Sequence, residues 1–279
     1  MSCLPYRSHR SKRTSRLHRG VRWGRAVTRK IFTLLVAAFA GVATANAGQA
    51  NEQLLLAVAS NFAEPARSLA DRFATDTGIA VRISTASTGT LYAQIVNGAP
   101  FDVLLAADAE RPALLESAGN ALPGSRRTYA VGQLVLWYPS AADSQCAGPP
   151  EPDELRRIAM ANPSTAPYGM AAQQTLETLG IRAALNGRIV FGENVAQAFQ
   201  FAATRNVTAA FVARAQIDDG LLERSGCVWE VPSNLHAPIE QQAVGIAGAG
   251  DGARRFLAFL DSDVARRIIA DHGYLNGDD

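Results

Sequence analysis

The chain has 279 residues, with 27 Lys and Arg against 25 Asp and Glu and a formal net charge of +2. Ten of the basic residues and none of the acidic ones lie in the first 47, so the following 232 residues hold 17 basic and 25 acidic groups, a net of −8. This removes the electrostatic argument for a nucleic-acid or membrane-surface partner, and the length suits one large or two modest domains.

Residues 1–47 read as a secretory signal peptide. A basic region ends in Arg29-Lys30, an apolar run covers 31–42, and Ala45-Asn46-Ala47 is a small-x-small cleavage site. The apolar run falls short of the ~20 residues that span a bilayer, and no Cys follows the cleavage point to carry a lipid. Export leaves Cys146 and Cys227, which either form one disulfide or remain two thiols; pairing needs Cα atoms within about 7 Å. Neither His236 nor His272 has zinc-ligand spacing with a Cys.

Residues 54–59 form an apolar run with the composition of a buried strand. Ser60 and Asn61 follow, both N-cap types, and Phe62, Ala66, Leu69 and Phe73 recur at helical spacing. The unit is therefore strand, turn, helix, with the helix N–H groups unpaired at the turn. Residues 80–84 alternate as a second strand and run through Ser87-Thr88-Gly89 into a helix carrying Leu91, Ile95 and Val96. Residues 102–106 read as a short buried strand, with Asp108 as a helix cap. Residues 129–138 read as one long strand, and 141–152 as a Pro/Gly/Ser-rich loop holding Cys146.

A short helix from 153 leads to a strand. The turn 162–169, containing Pro167-Tyr168-Gly169, opens a helix through Ala172, Leu176 and Leu179. Strand 188–191 enters a further helix at Asn194-Val195. Strands at 208–212, 228–231 and 242–247 precede a last helix over 253–271. The alternation predicts an α/β fold with mostly parallel sheets. The long strands 129–138 and 242–247 are read as a double crossing between a discontinuous lobe (48–131 and 241–279) and an inserted lobe (132–240). No internal repeat is evident.

An enzymatic reading finds little support. There is no G-x-S-x-G elbow and no Walker A loop, and no carboxylate pair stands out as acid and base. Four turns, at Ser60-Asn61, Ser87-Thr88-Gly89, Pro167-Tyr168-Gly169 and Asn194-Val195, enter helices through small polar residues. In α/β sheets such turns gather at the carboxyl ends of strands, where ligands bind. Helix N-termini offer N–H donors suited to an anion, and no Arg lies in any of the four. Capped helix starts also occur with no ligand at all.

Six stretches together carry a family resemblance: AVASNF (57–62), STASTGTLYAQIVNGAPFDV (84–103), ALPGSRRTYAVGQLVLWY (121–138), NPSTAPYGMAAQQTLETLG (162–180), FVARAQ (211–216) and PIEQQAVGI (238–246). The chain resembles the periplasmic molybdate-binding proteins, the solute receptors of molybdate/tungstate ABC importers. The resemblance implies a type II periplasmic binding fold, two lobes joined by a two-strand hinge, with a tetrahedral oxyanion between them. It also implies a monomer that delivers its anion to ABC permease subunits in the inner membrane, no resident cofactor and no nucleic-acid partner. Carried over by motif, Ser60 and Thr88 give hydroxyl and N–H, Asn61 its N–H, and Tyr168 and Val195 their N–H groups, with Ser87 beside Thr88. Many members place a Tyr where this chain has Ala213, which touches selectivity. The alternatives are a receptor for another oxyanion such as sulfate, an exported α/β hydrolase, and a sensor subunit that signals without transport.

Overall fold

A computed structural model describes residues 53–140, 146–224 and 226–277. The expected signal peptide lies outside them, as does part of the 141–152 loop. Two five-stranded sheets form the frame. The first takes β1 (Gln53–Ala59), β2 (Ala80–Ala86), β3 (Val103–Ala106), β4 (Arg127–Gly132) and β10 (Ile239–Gly245), in the order β2-β1-β3-β10-β4. The second takes β5 (Leu134–Tyr138), β6 (Ile158–Ala161), β7 (Ile189–Gly192), β8 (Ala209–Ala213) and β9 (Cys227–Glu230), in the order β7-β6-β8-β5-β9.

The two sheets share one plan. In each, three strands run parallel, β1 with β2 and β3, and β6 with β7 and β8. A fourth strand then joins antiparallel and pairs antiparallel with the fifth, through β10 and β5. The sheets are thus mixed, half of the pairings in each being antiparallel. This duplication has no sequence counterpart, because pairing partners are fixed by topology rather than by local pattern.

The chain crosses from the first sheet to the second between β4 and β5, and returns between β9 and β10. The run 129–138, expected as one strand, is two strands separated at Gln133. Its apolar pattern continues through the break because both strands are buried. The last helix, expected as one, is also two: α7 (Asp251–Leu260) and α8 (Asp263–Asp271). Ser262 caps the second, its Oγ accepting the Ala265 N–H at 3.2 Å, and so starts a separate helix. No helix forms over 153–157, where turns lead straight into β6.

Helices cover the sheet faces. α1 (Ala63–Thr77) buries Ala66, Leu69 and Phe73, at the spacing read from sequence, and Phe73 meets Phe256 of α7 edge-on at 5.3 Å. In the second half Trp137 of β5 stacks on Phe199 of α5 (Val195–Ala203) at 5.1 Å. Cys146 and Cys227 are joined, their Cα atoms 6.0 Å apart, which ties the loop after β5 to β9. Arg126 pairs with Glu116 and Arg127 with Asp261. Among the described residues no helix is long and apolar enough to cross a membrane.

Candidate functional site: an uncharged cavity between the two sheets

The four turns singled out in the sequence end four equivalent strands. β1 and β2 in the first sheet, and β6 and β7 in the second, occupy the same two positions of the shared plan. Each runs out of its carboxyl end into a helix start, so two turns face two turns across the gap between sheets. They meet at a small cavity lined by Ala59, Ser60, Asn61, Ser87, Thr88 and, from the second half, Ala166, Pro167, Tyr168, Asn194 and Val195. All six residues expected to contact an anion line it. No Lys, Arg, Asp or Glu does.

After β1 the chain makes one 3-10 turn, Ser60–Phe62, before α1. Ser60 is 8 % exposed, and among the described residues its hydroxyl has no protein partner. Asn61 is turned the other way: its carboxamide Nδ2 donates to Gln241 Oε1 at 2.8 Å and to Tyr274 Oη at 2.9 Å. Tyr274 in turn donates to the Asn61 carbonyl at 2.8 Å. The Asn61 side chain and carbonyl thus tie the turn to β10 and to Tyr274. Gln241 reaches it at a β-bulge, where the β10–β4 register shifts between Gln241 and Gln242, a device that re-aims a side chain.

After β2, Ser87 caps α2 (Thr88–Val96), its Oγ accepting the Thr90 N–H at 3.3 Å and lying 2.8 Å from Thr90 Oγ1. Its hydroxyl is therefore engaged within the turn. Thr88 is fully buried, and its Oγ1 accepts the Ala107 N–H at 3.0 Å. With a lone pair so occupied, the Thr88 proton is free to be donated.

In the second half the turn between β6 and α4 (Pro167–Thr178) is pinned at Asn162, whose Oδ1 accepts from the Ser164 N–H at 3.1 Å and hydroxyl at 2.8 Å. Pro167 stands at the first helical position, where its missing N–H costs nothing. Tyr168 then presents the first available N–H of α4. After β7, Asn194 caps α5 by accepting the Gln197 N–H at 3.1 Å, while Gln197 Oε1 accepts from the Glu193 N–H at 2.7 Å. This reciprocal pair leaves the Val195 N–H pointing out of the helix start.

The cavity lining thus brings together uncharged groups: the hydroxyls of Ser60 and Thr88 and the helix starts, whose first N–H groups lack helical acceptors. Such a set desolvates a small, fully ionised oxyanion oxygen by oxygen without supplying a countercharge. Arg111 lies nearby but is spent, pairing with Asp108 at 2.6 Å and donating to the Ser164 carbonyl at 3.3 Å. Burial pushes the Asp108 carboxyl up, against the Arg111 contacts that pull it down. Asp102 accepts the Leu55 N–H at 2.7 Å.

Larger concavities exist, one behind the crossing strands and one between the segment 107–111 and the start of α4 that is lined by the charged Asp108, Glu110 and Arg111, but neither of these two gathers all four turns. Ala213 ends β8, is not among the residues lining the cavity, and gives its N–H to Gln216 Oε1 at 3.0 Å. Ser68 Oγ and His272 Nε2 lie 3.2 Å apart, far from the cavity lining. No carboxylate bonds His272 among the described residues, so no oriented triad is present there. The residues that sequence reading missed are Gln241, Tyr274 and Gly132. Gln241 and Tyr274 lie 180 and 213 positions from Asn61, and only the folded chain brings them to it.

The model of the bacterial extracellular solute-binding protein family matches residues 54–275. A molybdate-binding protein ModA of Azotobacter vinelandii is 43 % identical over 246 residues, 86 % of this chain and 96 % of that one. A ModA of Rhodobacter capsulatus is 40 % identical over 225 residues, covering 80 % and 88 %. The solved Azotobacter vinelandii periplasmic molybdate-binding protein superposes with a TM-score of 0.73 at 40 % identity, covering 80 % of this chain and 98 % of that one. On this match the chain belongs to the bacterial extracellular solute-binding proteins, in the family of the ModA proteins.

Proposed function

We propose that the protein binds molybdate or tungstate in the cavity between its two sheets and delivers it to the permease of an ABC importer. The observation that carries this is the convergence of four helix starts, two from each sheet, on one uncharged cavity. Ser60 and Thr88 donate hydroxyl and N–H, and Asn61, Tyr168 and Val195 donate N–H. Ser87 shapes the second turn through its cap. The names of the relatives at 40 % and 43 % identity supply the identity of the oxyanion.

On this reading the lobes are 48–131 with 241–279, and 132–240. They hinge about the two crossings and close over the anion, and the closed monomer is what the membrane permease recognises. The protein acts in the periplasm after cleavage near Ala47, as a receptor rather than an enzyme. Sulfate carries the same charge in a smaller tetrahedron. Fixed donors spaced for molybdate leave some unpaired around sulfate, and that penalty discriminates.

Thermal unfolding of residues 48–279 with molybdate, tungstate, sulfate or phosphate tests this reading. Molybdate and tungstate at about 100 times their dissociation constants are expected to add about 2.7 kcal/mol of stability, with no shift from sulfate or phosphate. A shift with sulfate alone would keep the site and change the substrate.

A further inference from the structure

Two glycines sit where the halves of the molecule touch, and neither has the positive φ that ordinarily requires glycine. Gly132 ends β4 at the first crossing. A Cβ there would lie 2.1 Å from Tyr168 Oη and 3.0 Å from Tyr168 Cζ and from Gln241 Nε2. Gly89 lies in the first turn of α2. A Cβ there would lie 2.9 Å from the Thr165 carbonyl oxygen and 3.0 Å from the Thr165 Cα, and the Gly89 N–H donates to that same oxygen at 2.8 Å. Tyr168 and Thr165 belong to the half built on the second sheet, Gly132 and Gly89 to the half built on the first. What both glycines accommodate is contact across the cleft.

Tyr168 ties these contacts to the cavity. Its N–H is one of the donors in the ring, while its side chain is buried and ends at Gly132. Its hydroxyl lies near the Tyr274 hydroxyl and the Asn61 carboxamide but makes no well-formed hydrogen bond. The same residue therefore meets the anion with its backbone and the opposite half with its side chain.

We propose that Gly132 and Gly89 are positioning residues for oxyanion binding: each is a socket without a Cβ that lets the lobes close until the Tyr168 N–H reaches the anion. This rests on the molybdate reading above. A methyl group in either socket would hold the cleft open without touching the ligand. The sockets act through closure, so their loss shows as weaker binding and incomplete contraction, not as an unstable free protein.

Calorimetric titration with molybdate, paired with small-angle scattering with and without the anion, tests this on wild type, Gly132→Ala, Gly132→Ala/Tyr168→Phe and Gly89→Ala. Gly132→Ala is expected to bind about 30-fold more weakly, as overpacking does, to keep the unfolding midpoint of the anion-free protein, and to contract less on binding. Adding Tyr168→Phe removes the atom at 2.1 Å and is expected to recover much of the loss. Wild-type affinity and contraction in Gly132→Ala would overturn the proposal, as would a further loss in the double variant. If Gly132→Ala does not fold, Gly89→Ala decides: about tenfold weaker binding supports the sockets, and wild-type binding refutes them. Wild-type protein that ignores molybdate would sink the ligand reading alone. The sockets would then be judged by the same variants with whichever of tungstate, sulfate and phosphate does bind.

Discussion

Replacing Thr88 by Ala is expected to weaken molybdate binding by about 1.5–3 kcal/mol, roughly 10- to 150-fold, the worth of one hydrogen bond to a charged group. The Thr88 hydroxyl already accepts the Ala107 N–H at 3.0 Å, so its proton remains available to an anion in the cavity that Thr88 lines. The substitution has a second consequence. It leaves the Ala107 N–H buried without an acceptor, which costs about 1–3 kcal/mol of folding stability. Ser60→Ala differs in this respect, because the Ser60 hydroxyl has no protein partner among the described residues. It is expected to lose similar affinity with little change in stability. Calorimetry for affinity and urea unfolding for stability separate the two variants. Equal loss of stability in both, or unchanged affinity in both, would mean that these hydroxyls do not face the anion.

Val195→Pro is expected to weaken molybdate binding by a similar 1.5–3 kcal/mol while leaving the fold intact. The change deletes one backbone N–H and trims a buried side chain. Val195 is the first residue of α5, a position where proline is favoured because its ring fixes φ and the N–H has no helical acceptor. Asn194 before it is extended, with φ −153° and ψ 174°, as a residue preceding proline must be. The other cleft helix of this half already begins this way, with Pro167 ahead of Tyr168. Circular dichroism should show unchanged helix content and calorimetry a clear loss of affinity. Wild-type affinity in this variant would remove α5 from the site.

The four turns were legible in the sequence because a helix start is a local pattern. A cap residue, an apolar run before it and helical spacing after it lie within about fifteen positions. The gathering of those turns was legible only through the α/β rule that strand ends collect on one side. What lay beyond reach was non-local. The Asn61–Gln241–Tyr274 cluster joins three distant segments, and its donors and acceptors are ordinary residue types with no spacing to mark them. The antiparallel strands β10 and β5 read as apolar runs like their parallel neighbours, since a strand buried on both faces loses its alternation. The break at Gln133 was hidden for the same reason. The break before Ser262 carried a signal, a serine ahead of an acidic first turn, but Val264 and Ile268 kept the helical spacing going past it. Gly132 read as part of a long strand and Gly89 as an ordinary turn glycine, and only the atoms facing them across the cleft give them a role.

On the proposed reading a molybdate ion sits among the four helix starts. The most direct test is a crystal grown with molybdate, with the anomalous signal collected at the molybdenum edge. The expected result is one dominant peak in the cavity, with oxygens within hydrogen-bond distance, about 2.7–3.2 Å, of Ser60 Oγ, Thr88 Oγ1 and the N–H groups of Tyr168 and Val195. A peak in another concavity, or none in protein that calorimetry shows to be saturated, would contradict it.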